Sequence, residues 1–241
     1  EEELRQLGIF GANYKLAVLI TIFIQVFRMG AEPFFFNQSK EENAPRTYAR
    51  VMKFFVIVCS FIWLGIVVNL PLIKYFGYGK NAVLYEEGLS IVPILAMGSV
   101  FLGIYYNLSV WYKLTNKTLT GAWITLAGAI ITVVLNIWWI PLFGYNGSAW
   151  ATFACYAFMM IISYQLGQKH YPIPYVTKKL IAYLIIVTLL YLIHQVFVYF
   201  ITSLWIGIAF GAVLIAVYAW FILLVEKKEF QKLPVLGKFI R

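Results

Sequence analysis

The sequence predicts an all-α, polytopic membrane protein with seven transmembrane helices. Hydrophobic residues make up 62% of the 241 positions and charged residues only 12%, and the mean hydropathy is +0.81. A soluble domain of this length does not cover so much apolar surface. The apolar runs are about 20 residues or longer, which is enough to cross a hydrocarbon core of roughly 30 Å. They are also too long and too continuously apolar to be the strands of a membrane barrel.

The seven apolar stretches follow one another along the whole chain. The predicted spans are residues 10–36, 50–73, 89–112, 119–140, 146–167, 178–198 and 202–225. Polar gaps separate the first four spans. A turn rich in Pro and Gly, from Pro141 to Gly147, joins the fourth span to the fifth, and an uncharged link near 201–203 joins the last two. We therefore expect five spans in residues 1–167, a final helix pair in 168–225 and a basic tail in 226–241.

Basic residues are concentrated in alternate gaps between these spans. Arg5, Lys74 and Lys80 lie on one side, and Lys15 and Arg28 lie within the first span. The other fourteen of the 19 lysines and arginines lie on the opposite side: Lys40, Arg46, Arg50, Lys53, Lys113, Lys117, Lys169, Lys178, Lys179, Lys227, Lys228, Lys232, Lys238 and Arg241. Because cytoplasmic loops are enriched in Lys and Arg, this distribution predicts a cytoplasmic C-terminus. With seven spans, the N-terminus of the chain is then outside.

The start of the chain suggests that it is part of a longer polypeptide. It begins EEELR, with neither an initiating Met nor a basic signal region. An N-terminus outside the membrane without a signal sequence implies that an upstream segment crosses first, so we expect a C-terminal piece. The net charge of +9 does not indicate a nucleic-acid partner, because the basic residues are dispersed among loops. Cys59 and Cys155 lie in apolar runs and are predicted to be small buried hydrophobes.

The first span carries charged and polar side chains where lipid is expected. At about 100° per residue, Thr21, Gln25, Arg28 and Glu32 fall in one quadrant of the helix, and Arg28 can pair with Glu32 at i,i+4. A charge at mid-bilayer costs about 2.5–3.5 kcal/mol on insertion scales, so such a residue faces a cavity or a partner. Two interpretations stay open: a polar stripe that lines a water-filled path, or an ion pair that locks the helix. Pro33 permits a kink beside Glu32.

Other polar residues in the spans have two interpretations each. Lys15, near the outer end of the first span, either extends to the interface or contacts an anionic group in a cavity. Asn69, Asn107 and Asn136 form either helix–helix hydrogen bonds or substrate contacts. His194 is either a satisfied interfacial histidine or a proton relay.

No catalytic constellation is present in the sequence. It contains no Gly-rich phosphate loop, no His/Cys spacing for a metal and no acidic cluster for a metal-bound nucleotide sugar. We therefore expect a protein that is not an enzyme and that holds no resident cofactor or metal.

Three stretches of the sequence resemble a known family. Residues 8–19 (GIFGANYKLAVL) and 27–36 (FRMGAEPFFF) are similar to the eighth transmembrane helix of bacterial polysaccharide, or O-antigen, flippases. Residues 103–115 (GIYYNLSVWYKLT) and 136–152, including IPLFGYNGSAWAT, match later segments in the same order. These lipid-linked oligosaccharide exporters belong to the superfamily that also holds multidrug and toxin extrusion transporters. The resemblance is specific in the first 165 residues and generic in the last two spans.

The resemblance implies a fold, a substrate and a set of site residues. Such flippases have 14 helices in two lobes, and the seven spans here would correspond to helices eight to fourteen, with the N-terminal lobe of the same polypeptide missing. They move an undecaprenyl-diphosphate-linked oligosaccharide across the bacterial cytoplasmic (inner) membrane for cell-surface polysaccharide or lipopolysaccharide synthesis, by alternating access around a cationic cavity. Substrate contacts are then expected at Arg28, Lys15, Gln25 and Asn107. Glu32 is expected to be their charge partner or to couple transport to H⁺ or Na⁺.

Three other functions are alternatives to this one. A cation-coupled multidrug antiporter of the same superfamily should have acidic residues as the dominant charges of its cavity. A membrane polysaccharide polymerase should have a large outer loop with catalytic Arg or His residues, whereas the predicted outer loops are short, except Lys74–Gly88. A helical assembly partner that does not transport would only stabilise other subunits.

Overall fold

The computed structural model of the chain describes residues 2–73, 85–201 and 203–231. These residues are almost entirely helical and include no strand. Seven of their helical segments are long and apolar enough to cross a membrane. The predicted fold class, an all-α polytopic membrane protein, is therefore confirmed. Lys74, Lys80, Lys232, Lys238 and Arg241 lie outside the described residues, as do most of the predicted outer loop Lys74–Gly88 and of the tail 226–241.

The helices closely follow the predicted spans. In chain order they are α1 (Glu2–Ala17), α2 (Leu19–Gln38), α3 (Ala44–Val68), α4 (Val92–Leu108), α5 (Val110–Leu114), α6 (Thr118–Phe143), α7 (Tyr145–His170), α8 (Thr177–Phe200), α9 (Leu204–Val225) and α10 (Lys227–Phe230). A 3₁₀ turn, Glu86–Ile91, leads into α4, and together with α4 and α5 it forms the third span.

The first predicted span consists of two helices that meet at Val18. The helix begins at Glu2, eight residues before the predicted start at 10, so that α1 extends the span toward the predicted outside. At the junction the Thr21 amide donates to the Val18 carbonyl at 2.8 Å, and the Thr21 hydroxyl donates to the same oxygen at 2.6 Å. The Thr21 hydroxyl is therefore already hydrogen-bonded to the backbone of its own span. The α2 helix continues through Pro33 to Gln38.

The second helix starts before the predicted span and ends before its predicted end. It begins at Ala44, and Pro45 lies in its first turn, where the missing amide proton costs no hydrogen bond. The polar first turns from Ala44 to Arg50 therefore extend beyond the apolar part of the helix. At the other end, the Asn69 side chain donates to the Gly65 carbonyl at 2.8 Å, just beyond the last residue of α3.

The centre of the bundle is α4, which packs against α1, α2, α3 and α7. Its main partner, α7, presents a buried residue at every fourth position: Gly147, Ala151, Cys155, Met159, Ser163 and Gly167. Most of these side chains are small, and small residues at this spacing let membrane helices approach closely. The largely exposed helix α6 packs on the same α7 through Ile124 and Gly128, whereas Gly121 lies against Tyr112 of α5. The final pair, α8 and α9, packs mainly on α3.

Ion pairs lie at both ends of the bundle, and they agree with the predicted alternation of the spans. At the end predicted to be cytoplasmic, Lys113 pairs with Glu32, Lys53 with Glu226 and Arg50 with Glu229. At the opposite end, Arg5 pairs with Glu87 at 2.5 Å. Residues that the charge count assigned to one side of the membrane are therefore on one side of the structure.

Candidate functional site

Two spans bring three charged residues together near the end of the bundle that is predicted to be cytoplasmic. Arg28 and Glu32 lie one turn apart on α2, and the Arg28 Nε donates to a Glu32 carboxylate oxygen at 3.0 Å. Lys113, on α5, donates through its Nζ to the same oxygen at 2.6 Å. The i,i+4 pair that the sequence predicted is confirmed, and the structure adds a second cation to it. We refer to Arg28, Glu32 and Lys113 as the charge cluster.

The charge cluster carries an excess of positive charge. Two cations share one carboxylate, so the three side chains have a net charge of +1. The Arg28 guanidinium also lies over the Tyr106 ring, with its central carbon 4.4 Å from the ring centroid. A guanidinium over an aromatic face is stabilised by the ring's electron density and keeps its N–H groups at the edge free to donate. The arrangement fixes the position of Arg28 without neutralising the cluster.

The charge cluster is partly exposed on the side of a membrane helix. The exposed fractions of the side chains are 39% for Arg28, 37% for Glu32 and 24% for Lys113. Arg28 and Glu32 lie within a helix that is long and apolar enough to cross a membrane. Charged groups in such a helix are tolerated where they face water, a polar cavity or another protein segment, and they are costly against lipid tails. The exposed side of the cluster is therefore expected to face a water-filled space or a protein partner.

A narrow crevice lies on the inner side of the cluster. Its lining includes Arg28, Glu32, Tyr106 and Asn107, and its volume is about 10 Å³. That is room for about one water molecule and not for a diphosphate group. A phosphate-bearing ligand could therefore reach Arg28 only from its exposed side, away from the crevice.

Asn107 lines this crevice, and its side chain is hydrogen-bonded to its own helix. Its amide nitrogen donates to the Gly103 carbonyl of its own helix at 3.1 Å. Asn69 and Asn136 also donate to carbonyls four residues earlier in the chain, so none of the three amide nitrogens makes a helix–helix hydrogen bond with a described residue. The physical reason is that a short amide on a helix reaches its own preceding turn more easily than a neighbouring helix. The buried Asn107 Oδ1 has no partner among the described residues, which leaves it able to accept from a ligand or a water.

The other two predicted contacts, Lys15 and Gln25, are exposed and apart from the cluster. Gln25 lies one turn before Arg28 on α2 and forms no hydrogen bond with any described residue. Lys15 is exposed in the last turn of α1 and forms no salt bridge within the described chain. At about 1.5 Å per residue, the thirteen residues between Lys15 and Arg28 place them about 20 Å apart along the span. The structure therefore does not bring Lys15 to the charge cluster.

Lys113 is the member of the cluster that sequence reasoning did not assign to the site. It was counted among the cytoplasmic loop residues, because it follows the third predicted span. The predicted topology could have indicated its contact with Glu32, because the first and third spans are predicted to end on the same side of the membrane. A basic residue at one end and an acidic residue at the other are then able to meet.

A second group of charges lies at the same end of the bundle and is buried. Glu226, just after α9, accepts hydrogen bonds from Lys53 Nζ at 2.5 Å, from Tyr183 Oη at 2.5 Å and from Lys179 Nζ at 2.8 Å. The exposed fractions of the Glu226 and Lys53 side chains are 1% and 8%. Burial by itself would raise the pKa of Glu226. The hydrogen bonds from Lys179, Lys53 and Tyr183 outweigh burial and lower that pKa below its ordinary value.

This buried group joins the final helix pair to the rest of the bundle. Lys53 lies on α3, Lys179 and Tyr183 lie on α8, and Glu226 follows α9. Three separate segments therefore converge on one carboxylate. Glu226 and Lys53 have little exposure to offer a ligand, and Lys179 is partly exposed, at 43%. The buried Glu226–Lys53 pair is therefore suited to hold α8 and α9 against α3.

Comparisons of the chain with protein-family models, with curated proteins and with solved structures find no match.

Proposed function

We propose that the chain is the C-terminal portion of a flippase that exports an undecaprenyl-diphosphate-linked oligosaccharide across the bacterial cytoplasmic membrane. The single observation that supports this most is the charge cluster: two cations and one carboxylate, partly exposed on the side of a membrane-spanning helix. The resemblance of residues 8–36, 103–115 and 136–152 to polysaccharide flippases supports the same class of substrate. In this proposal the N-terminus of the chain is outside and the C-terminus is cytoplasmic.

The chemistry of the substrate explains why cations belong on this surface. A diphosphate that carries a hydrophilic glycan does not cross hydrocarbon unaided, because the loss of its hydration is too costly. Arg28 and Lys113 would replace part of that hydration with charge-assisted hydrogen bonds, and the planar guanidinium can bind two phosphate oxygens at once. Gln25, exposed one turn before Arg28, would add a neutral polar contact. Asn107, which lines the crevice on the inner side, could reach such a ligand only through the water molecule for which the crevice has room.

Glu32 competes with the substrate for the same two cations. In the described chain it accepts from both Arg28 and Lys113, so a phosphate that binds them must displace or share this carboxylate. Protonation of Glu32, or a Na⁺ ion bound to it, would weaken its hold and make both cations available. Glu32 is therefore the residue through which H⁺ or Na⁺ would be coupled to substrate binding.

The space for the glycan is proposed to lie between this chain and a second lobe. The crevice beside Arg28 is too small for a diphosphate. The exposed surface of α1 and α2 carries Lys15, Gln25 and the outer edge of the charge cluster among exposed apolar side chains such as those of Val26 and Met29. A facing lobe of the same polypeptide would enclose a wet cavity there, and alternating exposure of that cavity to the two sides would move the headgroup.

The competing antiporter function predicts a different balance of charge. A site for cationic drugs should have more carboxylates than cations, because the bound drug is itself positive. The charge cluster has one carboxylate and two cations, which favours an anionic substrate.

The experiment is an export assay in cells that depend on the complete open reading frame. Arg28→Ala should abolish surface glycan export while the protein remains inserted at the wild-type level. Arg46→Ala is the matched control, because Arg46 is an exposed arginine at the start of α3 with no described partner. Normal export by the Arg28→Ala variant would remove Arg28 from the mechanism and, with it, the main support for the proposal.

A further inference from the structure

An apolar groove runs along the outside of the bundle between α7 and α8. The helix α7 packs mainly on α4 and α6, whereas α8 packs mainly on α3 and α9, so the two helices stand apart. Two adjoining cavities lie between them, with volumes of about 360 and 600 Å³. Met160, Ile181 and Leu184 line both cavities, so the two form one continuous groove.

The groove has a buried floor and an open side. Met52 of α3 and Leu108 of α4 line its floor and are buried. Ile161 of α7 and Ile181 of α8 line its rim and are exposed. All four side chains belong to helical segments that are long and apolar enough to cross a membrane. A hydrocarbon chain can therefore enter the groove sideways from the bilayer without losing any hydration.

The groove is long enough for a lipid chain. On α8 its lining extends from Thr177 to Leu192, which is about 22 Å along the helix. The hydrocarbon core is roughly 30 Å thick, so one leaflet accounts for about 15 Å of it. The acyl chain of a lipid in the leaflet nearest Thr177 would therefore reach past Leu184, where the two cavities join.

Two exposed lysines lie at one end of the groove, one on each wall. Lys169 follows the lining residue Gln165 by one turn on α7, and Lys178 precedes the lining residue Ile181 by one turn on α8. Residues three or four apart are neighbours on a helix surface, so both lysines continue the walls beyond the apolar lining. Neither lysine forms an ion pair with another described residue.

The connection between α7 and α8 keeps this end of the groove positively charged. It consists of residues 171–176, includes no acidic residue and is flanked by Lys169 and Lys178. The Gln168 Nε2 donates to the Ile173 carbonyl at 2.9 Å, and the Ile173 side chain is buried. The connection is therefore folded against the bundle, and it holds the ends of the two walls, with their lysines, in place.

We infer that the groove holds a phospholipid of net negative charge, with an acyl chain between α7 and α8 and its phosphate beside Lys169 and Lys178. Basic residues at the end of a cleft between membrane helices are suited to an anionic headgroup. A zwitterionic headgroup carries its own ammonium, which offsets the attraction of its phosphate to the lysines. The inference does not depend on the proposed transport function, because the groove uses no residue of the charge cluster.

The test titrates the purified complete protein in detergent with phosphatidylglycerol and with phosphatidylcholine of the same acyl chains, and follows lipid retention by native mass spectrometry. The wild type should retain phosphatidylglycerol about tenfold more tightly, because each lysine near an anionic lipid headgroup contributes about fivefold or less. The double variant Lys169→Gln, Lys178→Gln should lose this preference. The double variant Lys40→Gln, Lys117→Gln is the matched control and should keep it, because these two lysines are also exposed but do not line the groove.

A second pair of variants tests the position of the acyl chain. Leu184→Trp places a large ring where the two cavities join, so it should weaken retention of both lipids several-fold and leave the preference between them unchanged. Ile193→Trp is the control and should retain both lipids as the wild type does. Ile193 is exposed, and it lies nine residues after Leu184, which is about two and a half turns and therefore the opposite face of α8.

The lipid comparison on the wild type is decisive even if a variant fails to fold. Equal retention of phosphatidylglycerol and phosphatidylcholine would overturn the inference. A preference that survives in Lys169→Gln, Lys178→Gln would also overturn it, because the headgroup would then be recognised elsewhere. Retention by Leu184→Trp equal to that by Ile193→Trp would place the acyl chain outside the groove. Displacement of phosphatidylglycerol by an equimolar amount of undecaprenyl phosphate would assign the groove to a polyprenyl chain instead.

Discussion

Replacing Glu226 with Gln removes the negative charge on which Lys53, Lys179 and Tyr183 converge. The Lys53 ammonium is 8% exposed, and its remaining described carboxylate, on Glu229, is 4.0 Å away and itself partly exposed. The variant therefore leaves a buried cation without an adequate partner. Removing one partner of a buried pair costs about 3–5 kcal/mol. For a chain of this size, that corresponds to a fall in Tm of roughly 6–20 °C.

The assay is thermal unfolding of the purified protein in detergent, followed by helical circular dichroism. Glu229→Gln is the matched control, because Glu229 lies 3.4 Å from Arg50 on a more exposed surface and should contribute at most about 1 kcal/mol. The double variant Lys53→Met, Glu226→Gln removes both charges, so it leaves no unpaired charge at these two positions. Part of the fall in Tm seen in Glu226→Gln should therefore be recovered. A Tm for Glu226→Gln no lower than that of Glu229→Gln would refute the reasoning that this carboxylate holds α8 and α9 to α3.

Two further predictions concern pH and close packing. The pKa of Glu226 is lowered in the folded state from its ordinary 4.5. The stability that the ionised carboxylate contributes is therefore present above pH 4.5 and is lost as the pH falls through the lowered pKa. The Tm of the wild type should accordingly fall more steeply in acid than the Tm of Glu226→Gln. At Gly103 an added Cβ would lie 2.6 Å from the Phe55 ring on α3 and 3.3 Å from Ile24 on α2. Gly103→Val should therefore push α3, and to a lesser extent α2, from α4, cost about 1–3 kcal/mol in unfolding experiments and impair export. Gly65→Val, with nothing within 4 Å, should be close to neutral in both assays.

The spans were predictable because each is a continuous apolar run of sufficient length. All seven predicted spans correspond to helices that are long and apolar enough to cross a membrane. The errors lie at helix ends. The helix α3 begins at Ala44, and not at 50, because its first turns are polar and carry no hydropathy signal, although Pro45 in the first turn is typical of a helix start. The early start at Glu2 was missed for the same reason, since α1 mixes charged and apolar residues.

The site was predictable only where its residues are close in sequence. Arg28 and Glu32 lie four residues apart, so helix geometry alone predicts their ion pair. Lys113 is 81 residues from Glu32, and Lys53 is 173 residues from Glu226, and these pairs depend on how the helices pack. Single amides such as Asn107 kept two interpretations, because hydrogen bonds to the preceding turn of their own helix leave no trace in the sequence pattern.

Binding of undecaprenyl diphosphate to the complete protein tests the central claim most directly. Affinity would be measured for the wild type, for Arg28→Ala and for Arg46→Ala, with uncharged undecaprenol as the ligand that lacks phosphate. The proposed role of Arg28 predicts that Arg28→Ala weakens binding of the diphosphate by roughly tenfold to a hundredfold and leaves binding of undecaprenol unchanged, because a hydrogen bond to a charged group contributes about 1.5–3 kcal/mol. Arg46→Ala should bind both ligands as the wild type does. Wild-type affinity of Arg28→Ala for the diphosphate would contradict the account.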